Sequence, residues 1–173
     1  MKRLLLMILC VIATLTINAQ KVKPVSVYVT DSDKYTNVRN NPNGEIVGKI
    51  NNDEGPWCMY ITQIKNNWCK VKANSIVQAD PDTEDVHPKL KPSDNGYWIH
   101  NSMIGFSGVG DGRVTLYEKQ SKKSKVVYRT YDWTIVHPVT FTENWIKVKT
   151  SDGKHTGWMP REEICSNPLT NCC

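Results

Sequence analysis

Apolar and polar residues alternate in a hairpin pattern near the end of the chain. Within residues 145–150, Ile146 and Val148 fall on one face of an extended strand, and Trp145 falls on the other face. Residues 151–153, Ser-Asp-Gly, are turn formers, and the glycine can take the positive φ that a tight turn needs. The pattern predicts a strand, a turn and a second strand, with Ile146 and Val148 facing the core.

The same hairpin is present earlier in the chain. Residues 68–72, Trp-Cys-Lys-Val-Lys, match residues 145–149, Trp-Ile-Lys-Val-Lys, and a glycine shortly before a tryptophan closes each copy. The tryptophans follow the duplication: Trp57 aligns with Trp133, Trp68 with Trp145, and Trp98 with Trp158. The chain is therefore predicted to contain one module twice.

The rest of the chain is also strand-like. Short alternating runs bounded by turn residues predict strands at 25–29, 46–50, 57–64, 96–100, 114–117, 126–130 and 134–142, a short strand starting at Val38, and single helical turns at 101–104 and 161–164. Pro138 lies inside the last of these strands, which implies an edge position or a bulge. No long amphipathic helix is predicted. The predicted fold class is all-β, with two small, strongly bent antiparallel units, each nearly closed to limit exposed edges.

Two stretches break the pattern. Residues 73–95 carry an acidic run and several prolines, whereas the second copy crosses the same gap with residues 150–155; we expect an inserted loop that is irregular and exposed. Residues 105–112 contain four glycines, which disfavour a regular element. The predicted organisation is a first domain at 20–105, a linker at 106–112 and a second domain at 113–173 with a cysteine-containing tail.

The first nineteen residues have the pattern of a secretory signal peptide. Lys2 and Arg3 are followed by an apolar run at 4–15 and by Asn18-Ala19, a small-residue cleavage site. The apolar run is shorter than the roughly 20 residues that span a bilayer. We therefore expect export to the periplasm or the extracellular space, and no later segment is predicted to span a membrane.

The net charge and the length of the chain exclude some classes of function. Without Lys2 and Arg3 the 22 basic residues fall to 20 against 17 acidic ones, a net charge of +3. The two signs are well mixed, unlike the basic stripe of a nucleic-acid-binding protein, so no nucleic-acid partner is expected. Two modules sharing the remaining chain are each small, with thin cores, and leave no room for a separate catalytic domain.

The first copy carries a recognisable motif set. Residues 36–42, Thr-Asn-Val-Arg-Asn-Asn-Pro, are followed by Ile-Val-Gly, by Trp-x-Lys-Val and by a closing Gly-x-Trp. Together they resemble the bacterial SH3-like (SH3b) family over about 25–104, and the second copy resembles it more weakly, with Thr-Leu-Tyr-Glu at 115–118 in place of the first motif. The resemblance implies a tandem pair of barrels of five to six strands each. It also implies a non-catalytic, cell-wall-targeting or accessory role, since such modules are often attached to peptidoglycan hydrolases.

Five cysteines remain after the predicted signal peptide, an odd number that leaves at least one unpaired within a monomer. The predicted disulfide is in the tail and joins Cys165 to Cys172, with Cys173 as the alternative partner. A bridge between Cys58 and Cys69 is a second possibility. Cys69 takes the position of the core-facing Ile146, which also suits a buried thiol acting as a small hydrophobic residue.

No arrangement of residues points to catalysis or to a metal. No cysteine is predicted at a strand-to-helix junction beside an ordered base, as a nucleophile would require. The cysteines and histidines lack zinc-site spacing, and the acidic run at 80–85 lacks the glycine and distal glutamate of a calcium loop. We expect a protein that is not an enzyme and that has no cofactor and no metal.

The outward-facing tryptophans are the candidate binding residues. Because their neighbours take the core face, Trp68 and Trp145 are predicted on the outer face of their strands, where each must pack on something. A loop or the other module could cover them. Alternatively, they form a ligand-binding groove with Tyr97, Trp98 and Tyr131 that receives a glycan or a peptide.

Two functions follow as hypotheses. The first is a secreted, non-catalytic envelope module that binds peptidoglycan or a peptide through aromatic grooves. The alternative is a protein-binding inhibitor or immunity-like factor that uses the inserted, acidic and proline-bearing loop.

Overall fold

The computed structural model describes residues 22–72, 74–79 and 86–170. The predicted signal peptide, the acidic run and the last three residues lie outside the described part. The strands are β1 (Val25–Val29), β2 (Tyr35–Arg39), β3 (Ile46–Asn51), β4 (Trp57–Lys65), β5 (Trp68–Val71), β6 (Val77–Gln78), β7 (Tyr97–His100), β8 (Ile104–Gly105), β9 (Ser107–Gly108), β10 (Thr115–Tyr117), β11 (Val126–Arg129), β12 (Val136–Phe141), β13 (Trp145–Thr150), β14 (Thr156–Pro160) and β15 (Ile164–Cys165). Single 3₁₀ turns lie at Asn52–Glu54, Asn101–Met103 and Arg161–Glu163.

The strands form two main antiparallel sheets, one in each half of the chain. The first has the order β3-β2-β7-β5-β4-β1-β8, with β6 attached to β4, and the second has the order β11-β10-β14-β13-β12. The all-β prediction is confirmed. The sheets do not close into barrels, since each ends in edge strands. None of the helical turns in the described residues is long and apolar enough to cross a membrane.

Equivalent residues of the two halves are paired in the same way. Lys70 lies opposite Trp98 in the first sheet, and Lys147 lies opposite Trp158 in the second. Both sheets also contain a register shift at the same place, after Ile61 in β4 and after Pro138 in β12. The predicted bulge at Pro138 is confirmed, and β12 is also an edge strand of its sheet.

One of the three tryptophan alignments was wrong. Ile61 faces Val71 and its counterpart Pro138 faces Val148, so counting back along the strands places Trp57 level with Thr134 rather than with Trp133. A shift of one residue moves a side chain to the opposite face of a strand. Trp57 is accordingly 1% exposed, whereas Trp133 is 44% exposed.

The glycine-containing stretch predicted as a linker begins with a buried strand, so the expectation that it has no regular element was wrong. Phe106 and Val136 exchange backbone hydrogen bonds of 3.2 and 2.9 Å, and β9 pairs with β15. In the first half, Val27 lies opposite Met59 and β1 pairs with β8. Residues 106–108 therefore take the position in the second unit that β1 takes in the first.

A single contiguous hydrophobic core extends through both units. Val27, Ile61 and Ile99 of the first half belong to the same buried cluster as Leu116 and Ile146 of the second.

Hydrogen bonds also join the units. His137 Nδ1 lies 2.9 Å from the carbonyl oxygen of Ile104, and Asn101 Nδ2 donates to the carbonyl oxygen of Pro138 at 2.8 Å. The two units therefore pack as one body rather than as two freely linked modules.

The described parts of the insertion, residues 74–79 and 86–95, pack against the first unit. Ile76 is only 3% exposed, β6 pairs with β4, and His87 Nδ1 lies 2.9 Å from the carbonyl oxygen of Ile76. The expectation of an irregular and exposed loop was wrong for residues 74–79, because apolar side chains and backbone pairing hold them to the sheet. It is confirmed for residues 86–95, most of which are exposed and have no regular element apart from the bridge at Leu90.

The cysteines are partly as predicted. Cys69 is fully buried, as its alignment with Ile146 indicated, and burial raises the pKa of its thiol to about 12. Cys58 and Cys69 are both free thiols, so the alternative of a bridge between them was wrong. Cys165 is disulfide-bonded. Its partner is outside the described residues, so the pairing with Cys172 stays a prediction.

Candidate functional site

The outer face of the first sheet carries two tryptophans side by side. Trp68 lies opposite His100, and Trp98 lies opposite Lys70 two residues further along the same pair of strands. The register therefore places Trp68 and Trp98 on diagonal positions of one face, away from the core-facing Cys69. Their exposed fractions are 9% and 6%, so other side chains cover most of both rings.

Arg39 and His100 cover Trp68. The His100 ring meets the Trp68 ring edge-on, with centroids 5.2 Å apart and an interplanar angle of 81°. The Arg39 guanidinium carbon lies 5.7 Å from the centre of the Trp68 ring, within the range of a cation–π contact. Arg39 is itself held by a 2.6 Å hydrogen bond from one NH to the carbonyl oxygen of Gly44. The guanidinium thus keeps N–H donors for a ligand while its position is fixed.

A groove of about 380 Å³ runs over this cluster. Its lining combines aromatic, cationic and acidic side chains: Asp31, Asp33, Tyr35, Asn37, Arg39, Trp68, His100, Ser102 and Met103. Tyr35 is 43% exposed, although it is a large aromatic side chain. The ammonium groups of Lys34 and Lys49 lie 5.5 and 5.6 Å from the centre of its ring. The groove therefore offers an accessible aromatic surface flanked by positive charge.

Hydrogen bonds fix the acidic end of the groove. Asp31 Oδ2 accepts a 2.9 Å bond from the Thr36 hydroxyl, and Asp31 Oδ1 accepts a 3.1 Å bond from the Asp33 N–H. Asn52 Nδ2 donates to the carbonyl oxygen of Asp33 at 2.7 Å. Two carboxylates at one end and Arg39 further along give the groove ends of opposite charge.

His100 is held in its neutral form. Its Nδ1 lies 3.4 Å from the backbone N–H of Ser102, which can only donate, so Nδ1 is the acceptor nitrogen and Nε2 carries the hydrogen. Burial lowers the pKa of His100 below its ordinary value. The imidazole therefore packs on Trp68 without adding a charge at neutral pH.

This state of His100 predicts a pH dependence of stability. Because its pKa is lower in the folded than in the unfolded protein, the unfolded state binds more protons as the pH falls below about 6.5. His100 thus contributes no destabilisation above that pH, and one that increases as the pH falls from about 6.5 to its folded pKa and is constant below it. We expect Tm to fall more between pH 7.5 and pH 5 in the wild type than in His100→Asn, whose amide oxygen can still accept from Ser102. Equal decreases in thermal melts of the two proteins would contradict this.

The structure does not bring the five predicted ligand-binding residues together. Trp68 lines the groove, and Trp98 lies beside it with its Nε1 donating to the carbonyl oxygen of Asn95 at 3.2 Å. Tyr97 faces the opposite way, where it packs against the core and lines a different cavity. Trp145 and Tyr131 belong to the second unit.

In the second unit Trp145 takes the position of Trp68, but it packs on a tyrosine instead of an arginine. Trp145 is partly buried, and its ring meets that of Tyr117 edge-on at 6.0 Å and 89°. By register Tyr117 takes the place of Arg39, since each lies opposite the tryptophan of the neighbouring strand. Tyr131 is 86% exposed. The arginine is thus specific to the first unit.

The sequence interpretation missed Tyr35, Arg39 and His100. The signal was nevertheless present: Tyr35, Asn37 and Arg39 alternate along one strand and so share a face. The interpretation used Asn37 and Arg39 only as a family motif and assigned them no position on a surface.

A second groove, of about 550 Å³, lies between the units and includes His100, His137 and Ser151. His137 Nε2 is 3.0 Å from the Ser151 hydroxyl, the spacing of a base and a nucleophile. However, Ser151 Oγ is also 3.0 Å from the carbonyl oxygen of Ile135, an acceptor that competes for its proton. Both side chains therefore serve to fix the hairpin turn against the first unit. Among the described residues no group of three or more His, Cys, Asp or Glu is placed to hold a metal ion.

Comparisons with known proteins give little further guidance. No family model and no curated protein matches the chain. Two solved structures are similar in part: NlpC1 from Trichomonas vaginalis, with a TM-score of 0.31, 11% identity and coverage of 84% of this chain and 47% of that one, and NlpC2 from the same organism, with 0.30, 11%, 83% and 48%. The chain thus spans about half the length of these proteins, and similarity at this level carries no argument about function.

Proposed function

We propose that the protein is a non-catalytic, exported module of the cell envelope that binds peptidoglycan or a peptide in the groove over Trp68. The observation that carries the proposal is the composition of that groove. An exposed aromatic ring, Tyr35, a fixed guanidinium, Arg39, and two carboxylates, Asp31 and Asp33, all line the same groove.

These groups suit a ligand that has apolar faces and both signs of charge. Tyrosine and tryptophan rings pack on sugar rings or aliphatic side chains, and they lose little conformational entropy on binding. Arg39 has free N–H groups for a carboxylate, and the two carboxylates can accept from an amine. The peptide stems of peptidoglycan carry carboxylates and amines, so they match this arrangement.

The chain offers a matched control for the test. Trp145 takes the position in the second unit that Trp68 takes in the first, but it packs on Tyr117 and lacks the arginine. Tyr35→Ala tests the groove with little risk to the fold, because the side chain is already exposed.

Retention on purified cell-wall sacculi tests whether the groove over Trp68 binds peptidoglycan. We expect the wild type and Trp145→Ala to be retained, and Tyr35→Ala and Trp68→Ala to lose affinity about tenfold or more. Circular dichroism identifies any variant that fails to fold. No retention of the wild type, or retention unchanged in both groove variants, would sink the proposal. The inhibitor alternative stays a prediction; within the insertion, residues 77–78 and 90–91 are already paired with the first sheet.

A further inference from the structure

The two sheets end in equivalent edge strands, β3 and β11. In the first sheet Val38 lies opposite Gly48, and in the second Leu116 lies opposite Tyr128. Each pair is followed by a register shift at the same place. Gly48 is therefore equivalent to Tyr128, and by the same count Val47 is equivalent to Val127.

The chain itself covers the outer edge of β3. The N–H of Lys91 donates to the carbonyl oxygen of Val47 at 2.8 Å, and Leu90 forms an antiparallel bridge with Gly48. This part of the insertion thus acts as a short added strand. It satisfies backbone groups that an edge strand would otherwise leave unpaired.

The outer edge of β11 has no such cover. The second copy has no insertion, and within the described residues no segment pairs with β11 on the side away from β10. Val126 and Val127 are 40% and 37% exposed, which is high for two adjacent apolar residues in a strand. The Val127 carbonyl occupies the position that accepts a strand in the first unit. An open edge with an apolar surface is a template for a further strand.

The residues around β11 are mostly cationic and so favour a negatively charged ligand. Cations precede and end the strand: Lys119, Lys122, Lys123, Lys125 and Arg129. In the described part of the chain only Lys122 of this set forms an ion pair, with Glu162 and Glu163. A second copy is a poor occupant, since antiparallel pairing of two β11 strands would place Lys125 and Arg129 of the two copies together.

We propose that β11 binds an extended, acidic peptide segment of another protein as an added antiparallel strand. Backbone hydrogen bonds to the β11 edge supply the geometry, Val126 and Val127 supply apolar contact, and the lysines and Arg129 pair with acidic side chains. This site lies in the second unit, apart from the groove over Trp68, and so goes beyond the proposed function.

The first unit also indicates the size of the peptide residue that would lie opposite Tyr128. Gly48 leaves room for Leu90, since a Cβ on Gly48 would lie 2.9 Å from the carbonyl oxygen of Lys89. Tyr128 has a side chain at the corresponding position, and its ring stacks on that of His155 at 3.8 Å and 11°. The peptide residue facing Tyr128 should therefore be small, such as glycine.

The probe is a synthetic octapeptide of alternating glutamate and valine with one central glycine, titrated into the ¹⁵N-labelled protein. We expect chemical-shift changes centred on β11 and an affinity that weakens as salt is added. N-methylation of alternate peptide amides tests strand addition directly. Methyl groups on the amides that face β11 should abolish binding, and methyl groups on the other amides should leave it unchanged.

The equivalent residue of the covered edge supplies the control variant. Arg129→Glu should weaken binding about tenfold, whereas Lys49→Glu, at the equivalent position of β3, should not. Shifts that map elsewhere, equal effects of the two methylation patterns, or equal effects of the two charge reversals would each overturn the proposal. Because Tyr35→Ala should bind this probe normally, failure here is distinguishable from failure of the proposed groove.

Discussion

Replacing Phe106 with alanine should lower the free energy of unfolding by about 3–5 kcal/mol, the range for removing a fully buried aromatic side chain. Phe106 is 0% exposed and belongs to the cluster that extends through both sheets. It also follows directly on β8 of the first unit and pairs with Val136 of the second. The cavity would therefore lie where the two cores meet, and we expect both units to be destabilised together.

Urea unfolding followed by far-UV circular dichroism and by tryptophan fluorescence measures this effect. The two signals should change at the same urea concentration in the wild type, since one core unfolds cooperatively. Val126→Ala, on the exposed edge, is the control and should change stability by about 0.5 kcal/mol or less. A decrease in the free energy of unfolding of under about 1 kcal/mol for Phe106→Ala would show that this side chain does not stabilise the contact between the two units.

Gly108→Ala should be the second large effect, at about 2–3 kcal/mol, in the range of overpacking at a site that cannot relax. A Cβ on Gly108 would lie 2.8 Å from the backbone carbonyl carbon of Arg113, and backbone cannot move aside as a flexible side chain can. The close approach exists because β9 is a packed strand rather than a linker.

Gly110→Ala in the same stretch is the matched control. Gly110 has a φ of +71°, which costs an alanine about 1–2 kcal/mol, but nothing lies within 4 Å of its added Cβ. We expect Gly108→Ala to be the more harmful of the two in thermal or chemical unfolding. Equal or reversed effects would mean that residues 106–112 are the loose connection expected from their composition.

The sequence was sufficient for most strands because local chemistry determines them. The predicted strand at 25–29 is β1, bounded as predicted. The turn between β4 and β5 contains Asn66 and Asn67, whose φ angles of +49° and +65° asparagine tolerates well.

The errors arose where tertiary contacts override local pattern. Glycines in 105–112 indicated irregular backbone, yet Gly108 is required by the neighbouring carbonyl and Phe106 by the core. Trp57 and Trp133 were aligned by spacing, although strand registers set their faces one residue apart.

The groove over Trp68 could not be predicted for a related reason. It is formed where β2 crosses to lie beside β7, which brings Arg39 next to Trp68 from a distant part of the chain. The spacing of residues along the chain does not indicate that β2 and β7 are neighbours.

Titration of the ¹⁵N-labelled protein with a soluble peptidoglycan fragment, a disaccharide bearing its peptide stem, tests the proposed function most directly. We expect shifts of the Trp68 indole signal and of the backbone around Tyr35 and Arg39, with the Trp145 indole unchanged. Shifts centred on Trp145, or no shifts at millimolar fragment, would contradict it.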